Sequence, residues 1–162
     1  MGKKIINCGS RKGETIAKLK ELFGDHKMYC FEPNPVFNKE YKTPPINKAV
    51  WIENTTKKFR LCNNSQSNSL YKRCNTQQTI DVECIDFSEW IKQFKEDYLI
   101  VKMDIEGAEF EVLKKMIKDN TIDYVNELLV EFHGSKIEEC KHYDKEEIKE
   151  QIKKRGVKIK EW

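Results

Sequence analysis

The chain has 162 residues, the usual length of one compact domain with a single hydrophobic core. Apolar residues make up 38% and charged residues 35% of the sequence, and an aromatic content of 10% argues against a disordered chain. The 30 basic and 27 acidic side chains nearly cancel to a net charge of +3, so composition indicates no general affinity for polyanions. We expect one domain over residues 1–162.

The cysteines and the amino terminus predict where the chain resides. The apolar stretch after Met1 is too short for export or for crossing a membrane. We therefore expect a cytoplasmic protein without a membrane span, with all cysteines reduced. None has the CxxC spacing of a structural zinc site. The cysteines are Cys8, Cys30, Cys62, Cys74, Cys84 and Cys140.

Apolar runs and helical patterns alternate along the chain. In chain order, we predict strand 5–8, helix 14–23, strand 27–31, a short helix 35–41, strand 46–52, strand 80–85, helix 87–94, strand 98–103, helix 109–118, strand 125–132, helix 145–155 and strand 157–162. Strands that alternate with helices indicate an α/β fold, with a mostly parallel sheet covered by helices on both faces.

Residues 54–80 differ from the rest of the chain. They are rich in Asn, Ser, Gln and Thr, carry no acid, and include Lys57, Lys58 and Arg60. The segment predicts either a hairpin, in which 58–62 pairs with 79–84, or a loop over one end of the sheet. It lacks the run of aromatic side chains typical of nucleic-acid binding, so no nucleic-acid partner is expected.

Ligands of open parallel sheets bind at the carboxyl ends of the strands. The first strand ends at the turn Gly9-Ser10-Arg11-Lys12-Gly13, and the second ends at Glu32. The turn has neither the lysine of a Walker loop nor the GxGxxG spacing of a dinucleotide site. An acid at the end of the second strand can accept hydrogen bonds from a ribose diol, so the turn and Glu32 predict a nucleoside ligand.

The stretch at 101–113, with its Lys-x-Asp-x-Glu-Gly-x-Glu pattern, resembles the signature of the FkbM-type methyltransferases. Residues 31–35, 84–86 and 129–133 are similar to further elements of that family, in the same order. The resemblance implies a Rossmann-like methyltransferase fold, S-adenosylmethionine as cofactor, and O-methylation of a sugar or polyketide hydroxyl. Two departures stand out: the family's first loop usually reads Gly-Ala-Asn-x-Gly, and this chain is shorter than typical members, a compact or truncated version.

The strand ends and the resemblance together define the candidate site. We expect the cofactor, and its product S-adenosylhomocysteine, to contact Asn7, Gly9, Ser10, Gly13, Glu32, Pro33, Asn34, Ala49 and Asp104. The candidate catalytic residues are Lys102, Asp104, Glu106 and His133, with His133 or Asp104 as the base that takes the acceptor proton. Lys102 could bind the cofactor carboxylate or form a buried ion pair.

Several alternatives remain open. Asp104, Glu106, Glu131 and His133 could bind a divalent metal, although no metal is the favoured interpretation. Glu106 and Glu109 could instead stabilise a helix amino terminus. The chain could also be an inactive, methyltransferase-like binding module. As partners we expect a small-molecule or glycan acceptor, with a homo-oligomer or a second protein as a candidate to complete the acceptor site.

Overall fold

A computed structural model describes residues 2–72, 74–75 and 78–162. The strands are β1 (Lys3–Cys8), β2 (Lys27–Phe31), β3 (Ala49–Trp51), β4 (Thr55–Arg60), β5 (Thr79–Asp86), β6 (Tyr98–Met103), β7 (Val125–Val130) and β8 (Lys158–Glu161). The α-helices are α1 (Glu14–Phe23), α2 (Phe87–Trp90), α3 (Glu109–Lys118) and α4 (Lys145–Lys154). Short 3-10 helices cover Pro35–Glu40, Ser65–Ser67, Ile91–Phe94, Thr121–Tyr124, Gly134–Lys136 and Glu138–Cys140.

The main sheet has five strands in the order β2-β1-β6-β7-β8, and every neighbouring pair is parallel. In β6, the residues from Leu99 to Met103 are all buried, as expected for a central strand that is covered on both faces. The order places the carboxyl ends of β2, β1, β6 and β7 side by side. This Rossmann-like α/β arrangement confirms the predicted fold class.

Helices cover both faces of the main sheet. On one face Val101 and Met103 of β6 pack with Phe110 and Leu113 of α3 and with Ile152 of α4. On the other face, Ile5, Ile100 and Leu129 pack against Leu19 of α1. The apolar stripes of α1 and α3 that the sequence predicts are therefore the surfaces that close the core.

A second sheet of three strands, in the order β3-β5-β4, flanks the first. β4 runs antiparallel to β5, with Arg60 opposite Thr79 and Thr55 opposite Cys84. The strand that the hairpin alternative expects at 58–62 is β4, which begins three residues earlier, and it pairs with β5 as that alternative predicts. Residues 73, 76 and 77 of this segment lie outside the described residues.

Three predicted elements differ from the observed ones in type or by more than two residues at one end. The strand expected at 46–52 is only β3, and it pairs with β5 in the second sheet, while Ile46 forms an isolated bridge to Phe31. The helix expected at 87–94 becomes a 3-10 turn after Trp90, which places Phe94 with its ring centroid 5.1 Å from that of Trp90. The short helix after Asn34 is also a 3-10 helix.

The prediction that all cysteines are reduced is wrong for one pair. Cys62 and Cys74 form a disulfide, with Cα atoms 6.0 Å apart, because the chain after β4 folds back over itself. The other four cysteines are free thiols, as expected. The cytoplasmic location, from which reduced cysteines were expected, stays a prediction. In the part of the chain that is described, no helix combines the length and apolar character needed to span a membrane.

Candidate active site

A cavity of about 610 Å³ opens at the carboxyl edge of the main sheet, a size typical of small-molecule sites. Its lining gathers residues that follow β1, β2, β6 and β7, the positions where a parallel sheet binds ligands. Most of the predicted site residues are among them: Gly9, Ser10, Glu32, Pro33, Ala49, Lys102, Asp104, Glu106 and His133. Asn7, Gly13 and Asn34 lie outside the lining.

Glu32 is a buried carboxylate whose orientation is set by the backbone. Oε2 accepts the N–H of Arg11 at 2.9 Å, and Oε1 accepts the N–H of Asn34 at 2.8 Å. Burial raises the pKa of Glu32 to about 7, although these two hydrogen bonds and the charges of Arg11 and Lys102 act in the opposite direction. Each oxygen retains a lone pair, so the carboxylate can accept two further hydrogen bonds, the number that a ribose diol donates.

The first turn holds its shape through its own contacts. Gly9 has φ of 75°, and a Cβ atom at this position would lie 1.8 Å from the backbone oxygen of Asp104. The glycine is therefore required by the close approach of the β6 end, a reason different from the predicted approach of a ligand. Gly13, with φ of 79°, precedes the first residue of α1. Tyr41 donates its hydroxyl to Ser10 Oγ at 2.8 Å.

Two predicted cofactor contacts support neighbouring groups in this structure. Asn7 lies fully buried in β1, and its Nδ2 donates to Thr15 Oγ1 of α1 at 2.9 Å. Asn34 Oδ1 accepts the N–H of Val36 at 3.2 Å and so caps the 3-10 helix that follows. Both side chains position the segments that border the cavity.

Lys102 joins the ends of β1 and β6. Its side chain is fully buried, and Nζ donates to the backbone oxygen of Gly9 at 3.1 Å and to Asp104 Oδ2 at 3.2 Å. Of the two predicted interpretations, the ion pair is the one that these contacts match. Because Oδ2 of Asp104 is bound by the ammonium group, the other oxygen, Oδ1, is turned toward His133, whose Nε2 lies 3.8 Å away.

His133 is surrounded by carboxylates although it is only 5% exposed. Its Nδ1 lies 3.0 Å from Glu109 Oε1, and its Nε2 lies 3.5 Å from Glu106 Oε1 and 3.4 Å from Glu131 Oε1. Burial acts to lower the pKa of the imidazole. The hydrogen bond and charge of Glu109, with the charges of Asp104 and Glu131, outweigh it, so the pKa of His133 is raised above its ordinary value.

Glu109 is the residue of this cluster that was predicted only as a helix-end acid. It is fully buried, and its two oxygens accept the N–H groups of Ile105 and Gly107, each at 2.8 Å, besides contacting His133. The same carboxylate thus fixes the loop before α3 and the orientation of the imidazole. Its place as the last acid of the Lys-x-Asp-x-Glu-Gly-x-Glu pattern was the available signal.

Glu106 lies in a strained part of this loop. It has a left-handed φ of 58°, which is uncommon for a residue with a side chain. Ser69 holds this conformation, since its hydroxyl donates to the backbone oxygen of Glu106 at 2.6 Å. The segment after β4 therefore contacts the loop between β6 and α3.

Polar side chains at 64–68 form one wall of the cavity. Asn64, Ser65, Gln66, Ser67 and Asn68 all line the cavity. Arg11 binds this wall to the first turn, because its Nε and Nη2 donate to Ser65 Oγ at 3.0 and 2.7 Å. The sequence predicted a hairpin or a loop over one end of the sheet here, but composition could not say which of these residues border a cavity.

The fold and the cavity define an α/β protein of the Rossmann-like class, with a small-molecule site at the carboxyl edge of its parallel sheet. The model of the methyltransferase FkbM domain matches residues 7–159, and the chain therefore belongs to the FkbM methyltransferase family. This confirms the family inferred from the 101–113 stretch. Comparison with curated proteins found no match, and neither did comparison with solved structures.

Proposed function

We propose that this chain is an S-adenosylmethionine-dependent O-methyltransferase that acts on a hydroxyl of a sugar or similar polyhydroxylated molecule. One observation carries the proposal. A single cavity is bordered both by Glu32, which suits a ribose diol, and by the acid and imidazole cluster of Asp104 and His133. The first feature binds a nucleoside, and the second handles a proton, the two tasks that the reaction requires.

The spacing of the strands supports this division. Glu32 follows β2 and His133 follows β7, and these strands are separated by β1 and β6. Neighbouring strands lie about 4.8 Å apart, so the two ends of the site are roughly 14 Å apart along the sheet edge. The ribose would lie at β2, the sulfonium near β1 and β6, and the acceptor at β6 and β7.

In the reaction, the acceptor oxygen forms a bond to the methyl carbon while the carbon–sulfur bond breaks. The bonding pair stays on sulfur, which gives S-adenosylhomocysteine, and the hydroxyl proton passes to a base. Asp104 Oδ1 and His133 Nε2 are the groups proposed for that proton, because both border the cavity. Lys102 is a positioning residue that holds Asp104 through Oδ2.

The wall at 64–68 supports a polyhydroxylated acceptor. Its amide and hydroxyl side chains offer both hydrogen-bond donors and acceptors. Arg11 and Lys48, on neighbouring parts of the lining, offer donors only. A site with such groups recognises hydroxyls by hydrogen bonds more readily than it recognises an apolar molecule.

Thermal unfolding with and without S-adenosylmethionine tests cofactor binding. A ligand at one hundred times its Kd stabilises the folded state by about 2.7 kcal/mol, so a clear rise of Tm is expected. Glu32→Gln should remove most of the rise, whereas Glu21→Gln, at an exposed position of α1, should leave it unchanged. An unchanged Tm in the native chain contradicts the enzyme and favours the inactive binding module.

Labelled S-adenosylmethionine tests the transfer. Incubation with monosaccharides, nucleotide sugars and glycans should place the label on a hydroxyl of at least one acceptor. Label on nitrogen, or on no member of the panel when polyketide hydroxyls are labelled, contradicts the sugar assignment. Asp104→Asn and His133→Gln should each lower kcat at least a hundredfold if the cluster removes the proton.

A further inference from the structure

We infer that His133 and Asp104, with Glu131 and Glu106 around them, hold one divalent cation of the Mn²⁺ type beside the acceptor hydroxyl. The proposed reaction is needed only for the chemical role given to the ion. Binding of the ion itself follows from the arrangement of donor atoms in this chain.

The imidazole of His133 is oriented as a metal ligand would be. Its Nδ1 is hydrogen-bonded to Glu109, and within the described residues this is the ring's only hydrogen bond. A carboxylate on Nδ1 fixes the tautomer that carries the proton there and leaves the lone pair on Nε2. His133 lines the cavity, although the residue is only 5% exposed.

Oxygen donors lie around Nε2 at the separation that ligands of one ion adopt. The nearest oxygens of Glu131, Glu106 and Asp104 lie 3.4, 3.5 and 3.8 Å from it. Ligand atoms bound at about 2.0–2.2 Å from an ion lie roughly 3.0–3.5 Å from one another, so small side-chain movements suffice. Ligand atoms of His133 and Asp104, together with one of Glu109, already lie within 4.8 Å of one another.

Glu109 holds the imidazole of His133 through Nδ1, the ring nitrogen that does not bind the proposed ion. Its oxygens already accept two backbone N–H groups and contact the imidazole, so its capacity for an ion is small. Asp104 differs, because Lys102 occupies Oδ2 and leaves Oδ1 for a ligand. Imidazole nitrogen is a ligand of first-row transition ions, and carboxylate oxygen is the ligand type that Mn²⁺ prefers within that row, so one imidazole with several carboxylates suits Mn²⁺.

The ion would give the cluster a defined task in the proposed reaction. A bound divalent ion lowers the pKa of a coordinated hydroxyl and orients a neighbouring hydroxyl of a diol. With the ion bound, Asp104 and His133 would be its ligands and not the base of the metal-free reaction, and the acceptor proton would pass to solvent.

Mn²⁺ binding to the full chain tests the inference without cofactor or acceptor. After removal of metals with EDTA, the chain is titrated with Mn²⁺, and free Mn²⁺ is measured by electron paramagnetic resonance. We expect one ion per chain. His133→Gln should weaken binding at least tenfold, while His142→Gln, at an exposed position, should leave the Kd unchanged.

Asp104→Asn provides a second variant in case the His133 variant does not fold, which circular dichroism would reveal. It too should weaken Mn²⁺ binding at least tenfold. The inference is overturned if Mn²⁺ does not bind saturably, or if a folded His133 or Asp104 variant binds it as the native chain does. Cofactor binding without Mn²⁺ binding would refute the ion alone, and Mn²⁺ binding without cofactor binding would refute the enzyme alone.

Discussion

Lowering the pH from 8 to 6 should weaken S-adenosylmethionine binding through protonation of Glu32. Burial raises the pKa of this carboxyl to about 7, so near neutrality the free chain holds a mixture of the two forms. The ionised carboxylate offers only hydrogen-bond acceptors, which match the two hydroxyl donors of a ribose diol, whereas the protonated form also carries a donor. If the cofactor binds that form, the apparent Kd scales as one plus ten to the power of the pKa minus the pH. The scaling predicts a rise of about tenfold between pH 8 and pH 6.

Glu32 also makes the stability of the free chain depend on pH. A carboxyl with a pKa raised by folding stabilises the free chain below its unfolded pKa, and this contribution is lost as the pH rises through about 7. The cofactor reverses the preference by favouring the ionised form. The rise of Tm on adding a fixed cofactor concentration should therefore be larger at pH 8 than at pH 6.

Isothermal titration calorimetry measures the Kd and the release of protons on binding. Near pH 6.5 the native chain should release protons on binding, seen as a heat that depends on the ionisation enthalpy of the buffer. Glu32→Gln cannot titrate, so its Kd should not follow the Glu32 profile, and it should bind about 10- to 150-fold more weakly at pH 8, the value of one hydrogen bond to a charged group. A native Kd that is flat from pH 6 to 8, or an unchanged profile in the variant, would refute the reasoning.

The remaining predictions concern stability. Gly9→Ala should destabilise the fold by about 2–4 kcal/mol in denaturant unfolding, because its Cβ would lie 1.8 Å from a backbone oxygen. Gly156→Ala, also at positive φ but with nothing within 4 Å, should cost only about 1 kcal/mol, and equal losses would contradict the steric explanation. Reduction of the bond between Cys62 and Cys74, which lie 12 residues apart, should cost about 2–4 kcal/mol, and a Tm indifferent to reductant would argue against that bond.

Elements with a strong local signal could be predicted from the sequence. β6 and α3 have the expected boundaries, since a continuous apolar run and a helical stripe are properties of neighbouring residues. The place of β3 in the second sheet could not be foreseen, because the pairing of β3 with β5 joins residues 35 positions apart, as Ala49 with Cys84. The disulfide was missed because the reduced state of the cysteines was inferred from the expected compartment, while the bond depends on how the chain after β4 folds back.

The candidate site also combines features that could be predicted from the sequence with features that could not. Residues at strand ends were predictable, since a parallel sheet brings its carboxyl ends to one edge and Glu32, Asp104 and His133 do line one cavity. The reasons for single residues were harder to predict. A glycine is required at position 9 because the backbone of Asp104, and not a ligand, comes close to it. The wall at 64–68 is held at the cavity by contacts such as that of Ser65 with Arg11.

The motif from Lys102 to Glu109 acts as one hydrogen-bonded unit, and this bears on how its variants should be interpreted. Lys102 binds the first turn through Gly9 and holds Asp104, while Glu109 binds the backbone of its own loop and the imidazole of His133. Removing either buried charge leaves its partners unsatisfied, so stability and activity should fall together. Asp104 and His133 are the partners of these two buried charges, so the folding of Asp104→Asn and His133→Gln must be measured before a loss of activity is assigned to chemistry.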